Sequence, residues 1–180
     1  MTTRERPRRI VLLGVSGAGK TTLANELAAL VGGAHVELDA LQHGPDWTSP
    51  PVEEYRQRLA EATDGPAWVV DGNFVRQTAE VLWHRADLLV WLDMPPRVFL
   101  PRLLRRSVGR IVRRTELWNG NRERWAFLFG PDSVIGWAWS AHRRHRATYP
   151  GVLADLPHVR LRSPAEVRRW LAGFREATVR

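Results

Sequence analysis

A short apolar run, Ile10-Val11-Leu12-Leu13, leads straight into Gly14-Val15-Ser16-Gly17-Ala18-Gly19-Lys20-Thr21-Thr22. No other stretch restricts the fold as much. The spacing Gly-x-x-x-x-Gly-Lys-Thr is that of a phosphate-binding loop, which works between a buried strand and the first turn of a helix. Glycines let the backbone turn without Cβ clashes, so that successive N–H groups and the positive end of the helix dipole face one anion. Gly14, Ser16, Gly17, Ala18, Gly19, Lys20, Thr21 and Thr22 are therefore the candidate contacts to a nucleoside triphosphate. Lys20 is placed to reach the β- and γ-phosphates, and the Thr21 hydroxyl to serve Mg²⁺.

Such a loop demands a parallel sheet behind it, and the rest of the chain alternates accordingly. Short β-branched runs at Ile10–Leu13, His35–Leu38, Ala67–Val70, Leu88–Leu92 and Val159–Leu161 predict five strands. Helix patterns fall between them at Lys20–Val31, Val52–Ala62, Val75–Arg85, Pro96–Arg114, Asp132–Ala147 and Pro164–Arg175. Ser163 before Pro164 is an N-cap followed by a first-turn proline. Pro101 predicts a bend or late start in the fourth helix. The expected architecture is α/β, a three-layer P-loop NTPase fold with a five-stranded parallel sheet and helices on both faces. The 180 residues suit one domain, with residues 1–8 a flexible tail and about 97–130 a lid region.

Three acidic residues each come just after a predicted strand: Asp39 after HVEL, Asp71 after AWVV and Asp93 after VWL. In a parallel sheet those ends lie on the side where ligands bind. Phosphoryl transfer uses a metal and a carboxylate that orients the attacking hydroxyl. Asp39 is the candidate for the hydroxyl, and Asp71 or Asp93 joins Thr21 as a candidate for Mg²⁺. Taken singly, each could equally cap a turn.

Taken together, GVSGAGKTT, LDAL with a downstream Trp47, WVVDGNFVR, ADLLVWLDMP and an Arg-rich helix resemble the adenylate kinase-related P-loop proteins of the DNA topology modulation type. That group is akin to the nucleoside monophosphate kinases. The resemblance spans roughly Arg9 to Trp170. It implies a five-stranded parallel sheet, ATP as nucleotide and a cleft for an acceptor. In the wider kinship an Asp-Gly-aromatic-Pro-Arg segment grips the acceptor phosphate. Here Asp71-Gly72-Asn73-Phe74-Val75-Arg76 carries an inserted Asn and has Val in place of Pro, and Arg76 is the candidate acceptor clamp.

Arg102, Arg106, Arg110 and Arg113 recur at helical spacing and form one positive stripe, while Leu104, Val108 and Ile111 form an apolar one. Arg106 and Arg110 are candidate catalytic residues, because guanidinium forks pair with phosphate oxygens and an Arg-bearing lid excludes water from the transferred group. A solvated helix face is the alternative. The cluster His142-Arg143-Arg144-His145-Arg146 reads as the wet C-terminal end of a helix, with contact to triphosphate or nucleic-acid phosphates as the alternative, and it has no metal spacing. Most of the nine tryptophans, Trp68, Trp83, Trp91 and Trp170 among them, fall at core positions. Trp47 lies in the acceptor-side loop, where an indole can stack on a base or sugar. Trp118 and Asn119 could line the same cleft.

The expected activity is transfer of the γ-phosphoryl group of ATP, with Mg²⁺, to a nucleoside, nucleotide or other small hydroxyl-bearing acceptor. The net charge of +8, from 27 Lys+Arg against 19 Asp+Glu, also allows an ATP-dependent nucleic-acid-binding regulator. No helix-turn-helix, zinc finger or aromatic RNA-binding signature supports that alternative. Zero cysteines exclude disulfides and thiolate sites. No apolar run approaches membrane-spanning length, so a cytoplasmic protein is expected.

Overall fold

A computed structural model describes residues 6–72, 82–128 and 133–179. Arg76, Asn73, Phe74 and most of the helix expected at Val75–Arg85 lie outside the described residues.

Five strands form one sheet: β1 Arg9–Gly14, β2 Ala34–Glu37, β3 Trp68–Asp71, β4 Leu88–Leu92 and β5 His158–Leu161. Their order is β2-β3-β1-β4-β5, and every pairing is parallel. The chain runs from β1 to β2 and β3 on one side, then crosses to β4 and β5 on the other. That change of direction opens a crevice at the C-terminal end of β1, where the glycine loop begins.

Strand periodicity sorts the central side chains between two cores. Ile10 and Leu12 of β1 and Val90 and Leu92 of β4 pack on one side with Leu23 and Leu27 of α1 (Lys20–Val31), Phe99 and Leu103 of α4 (Pro96–Val112) and Leu171 of α6 (Pro164–Val179). Val11, Leu13, Leu89 and Trp91 face the other core, with Tyr55 and Leu59 of α3 (Val52–Ala62) and Tyr149 of α5 (Val134–Val152). The result is the expected three-layer α/β arrangement. Burial on both faces explains why these strands read as nearly continuous apolar runs.

Local chemistry sets the helix ends. Gly32 closes α1 in the left-handed region at φ 62°. The Ser133 hydroxyl accepts the Gly136 N–H at the start of α5. At α6 the Ser163 hydroxyl accepts from the Glu166 N–H at 3.2 Å, and Glu166 accepts from the Arg162 N–H at 2.7 Å, a reciprocal arrangement much like a capping box. Pro101 lies in the second turn of α4 without ending it, and the start remains at Pro96.

Two readings need correction. A short helix, α2 (Leu38–Gln42), takes over where the second strand was expected to end, so Asp39 sits in a helical first turn. The fifth helix continues to Val152, which puts the His142–Arg146 cluster in mid-helix instead of at a wet end. His142 and His145 are buried there, packed on Phe99 and stacked on Tyr149 at ring distances of 5.2 and 4.4 Å.

Candidate active site

The loop wraps tightly over the start of α4. Gly17 has φ 83°, and a Cβ there would lie 2.4 Å from the Phe99 carbonyl oxygen. Only glycine fits that approach. Gly14 and Gly19 have φ of 144° and 100°. The Lys20 ammonium folds back to donate to the carbonyls of Gly14 at 2.7 Å and Val15 at 3.2 Å. Burial pushes its pKa down to about 8, against the pull of Asp39 and Asp71, with Arg106 adding to the fall.

Thr21 and Asp71 meet beside the loop. The threonine hydroxyl donates to Asp71 Oδ2 at 2.6 Å, and Oδ1 of the same carboxylate lies 3.1 Å from His35 Nε2. His35 Nδ1 is in turn 3.0 Å from the Asn25 amide oxygen. A hydroxyl and a carboxylate side by side at the mouth of the loop are an oxygen donor set that suits Mg²⁺, which takes one or two protein ligands and fills its shell with phosphate oxygens and water.

Asp93 is placed differently. Arg160 grips its Oδ2 through two nitrogens, at 2.6 and 3.1 Å, and Arg146 stands 3.5 Å away. The Arg160 guanidinium also lies 4.2 Å above the Trp91 ring. Asp93 is buried and is absent from the cleft walls. Of the two carboxylates considered for Mg²⁺, only Asp71 faces the loop.

A cleft of about 840 Å³ runs from the loop past Asp39 and Asp71 to Arg102, Arg106 and Arg110 of α4. Arg102 overhangs the loop, 3.8 Å from where a Cβ on Gly19 would lie. Three of the four stripe arginines thus line the cleft, and Arg113 does not. Burial, then the neighbouring Arg110, lowers the Arg106 pKa. Arg110 pairs with Glu123 at 2.8 Å.

A second cavity of about 490 Å³ adjoins the first, and Ser16, Asp39, Arg106, Arg110 and Trp118 line both. Burial raises the Asp39 pKa and Lys20 opposes the rise. Trp47, His43, Phe127 and Trp137 form the apolar walls. Two connecting segments are laced together around it. Asn121 accepts the Trp47 N–H and donates to the Gly44 and Trp118 carbonyls, each at 2.8 Å. Asn119 donates to the His43 carbonyl, and the Trp118 indole N–H to Glu37 at 3.1 Å. His35, Glu37, Asn121, Phe127 and Trp137 were not singled out from the sequence. All but Trp137 touch a partner remote in the chain, which no local pattern announces.

No family model matches the chain. A shikimate kinase of Paramagnetospirillum magneticum (strain ATCC 700264 / AMB-1) is 34% identical over 119 residues, 57% of this chain and 58% of the relative. The match thus spans a little over half the length of that curated relative. Shikimate kinase from Acinetobacter baumannii in complex with shikimate superposes with a TM-score of 0.60 at 20% identity, covering 97% of this chain and 94% of its own. A gluconokinase from Sinorhizobium meliloti 1021 does so at 0.57 and 19%, covering 98% and 96%. The chain has the three-layer P-loop NTPase fold in its nucleoside monophosphate kinase-like form. No described helix is long and apolar enough to cross a membrane.

Proposed function

We propose that this protein is an ATP-dependent phosphotransferase acting on a small hydroxyl-bearing acceptor. The observation that carries the reading is the shared wall: Ser16, Asp39, Arg106 and Arg110 line both the loop cleft and the aromatic cavity. A triphosphate seated on the loop would end where a second molecule begins, which is the geometry that a direct transfer needs. The likeness to a shikimate kinase supports a small-molecule acceptor.

In this reading the loop amides and Lys20 hold the triphosphate, with Gly14, Ser16, Gly17, Ala18, Gly19 and Thr22 shaping the cradle. Thr21 and Asp71 would hold Mg²⁺, which supplies charge neutralisation on the phosphate oxygens when bound. Asp39 orients the acceptor hydroxyl and takes its proton. Arg106 and Arg110 stabilise the charge that spreads over the transferred group, and Arg76 clamps the acceptor. ATP consumption with an acceptor panel tests this. Wild type should respond to an acceptor, and Lys20→Ala and Asp39→Asn should not. Equal consumption by wild type and Lys20→Ala with every acceptor would refute it.

The charge of +8 and the likeness to proteins of the DNA topology modulation type favour a second reading, an ATP-dependent nucleic-acid regulator. Arg102, Arg106 and Arg110 line a cleft instead of an open face, which argues against it. A steep fall of DNA affinity with salt would support it, and a shallow slope would count against extended phosphate contacts.

A further inference from the structure

We propose that the acceptor is an alcohol with a flat ring, its aromatic or heteroaromatic body lying against Trp47 and Phe127 while a hydroxyl reaches Asp39. The proposal rests on the phosphotransferase reading and names the acceptor's class.

The cavity walls are the first argument. Trp47 and Phe127 meet edge to face, with centroids 5.9 Å apart at 77°. His43 stands at 75° to Trp47 at 5.2 Å, and leans toward Trp118 at 5.9 Å and 31°. Two aromatic planes at nearly a right angle offer a flat molecule one face to stack on and one edge to abut. Phe127 and Trp137 stay 42% and 43% exposed, so much of their apolar surface is not buried by the fold itself.

The second argument is an accounting of polar groups. Glu123 holds Arg110, and the Trp118 indole N–H is given to Glu37. Polar side chains among the described residues that line the cavity include Asp39, Arg106, Ser16 and the nitrogen-bearing rings of His43, Trp47 and Trp137, so half of them are rings. A saturated polyol would set hydroxyls against ring faces, and each unanswered one costs its lost hydration.

The third argument is backbone strain. Asp46 and Trp47 have φ of 53° and 58°, two successive non-glycine residues in the left-handed region. A bulky residue rarely adopts that conformation without something to hold it. Here Asn121 holds the Trp47 N–H, and the Gly44 N–H donates to the Thr48 carbonyl at 2.8 Å. The chain maintains a strained turn whose side chain forms a cavity wall.

The test measures phosphoryl transfer from ATP to adenosine, thymidine and pyridoxine in one arm and to shikimate, gluconate and glycerol in the other. Wild type, Trp47→Phe, Trp47→Ala and Lys20→Ala are compared. At least one flat alcohol should exceed every compound of the second arm by roughly a hundredfold in kcat/KM. Trp47→Ala should raise the acceptor KM about tenfold with the KM for ATP unchanged, and Trp47→Phe should retain most of the affinity. Shikimate or gluconate serving as well as the flat alcohols would overturn the proposal, as would an unaltered acceptor KM in Trp47→Ala. If no compound in either arm raises ATP consumption above the Lys20→Ala background, the phosphotransferase reading itself falls and takes this proposal with it.

Discussion

The Thr21 hydroxyl donates a 2.6 Å hydrogen bond to Asp71, 50 residues further along the chain, and His35 touches the other oxygen of that carboxylate. The first turn of α1 is thereby tied to the ends of β3 and β2. Asp71→Asn keeps the shape and removes the charge, and should lower Mg²⁺-dependent turnover by about a hundredfold, with His35→Ala nearer tenfold. Steady-state rates across a magnesium titration check this. Activity in Asp71→Asn equal to wild type at all magnesium concentrations would remove Asp71 from the site.

Lys20 gives two opposite pH trends. Its pKa is near 8 in the folded protein and near 10.5 when unfolded. Between those values the unfolded chain binds more protons, so the ligand-free fold gains stability as pH rises above about 8. ATP binding wants the charged ammonium, so affinity should fall over the same range. Denaturant melts and calorimetry between pH 7 and about 9.5 measure both, and Lys20→Met should flatten both trends relative to wild type.

Asn121 makes three hydrogen bonds that close the aromatic cavity and brace the left-handed turn at Trp47. Asn121→Ala should cost about 2 kcal/mol of stability, since buried groups lose their partners. It should also raise the acceptor KM more than the KM for ATP. Thermal melts and a split of the two Michaelis constants test this, and an equal rise in both would show that the clasp serves the whole cleft.

Arg160→Ala leaves the buried Asp93 carboxylate with Arg146 as its remaining ion-pair partner among the described residues. Breaking a buried pair is expensive, but Arg160 is itself a quarter exposed, at 25% of its side chain. The expected loss is therefore about 2 kcal/mol. Restoring neutrality with Asp93→Asn in the same background should recover part of it. Nucleotide affinity should stay within about twofold of wild type, because Asp93 lies outside the cleft walls.

The sheet was legible because its strands are buried on both faces and stand out as apolar runs. The limits of α1 and α3 matched residue for residue, since loop chemistry opens the first helix and Pro51 precedes the second. Asp39 was assigned to a strand end because Leu38–Gln42 is too short to show a helical period. The placement of Asp93 depends on Arg160, which belongs to β5 and is 67 residues away. No pattern around VWLD could announce that partner. The buried faces of His142 and His145 were missed because a basic cluster looks solvated whenever its two histidines are counted with the arginines beside them.

The sheet and α1 supply the loop, Thr21 and Asp71, whereas the rings facing the second cavity come mostly from the connecting stretches around residues 43–48 and 118–128. Apart from Trp118, which lines both cavities, substitutions in those stretches should leave the glycine loop standing. Descendants of such a scaffold could therefore exchange one acceptor for another by altering a few surface turns, with the energy-donating half inherited unchanged.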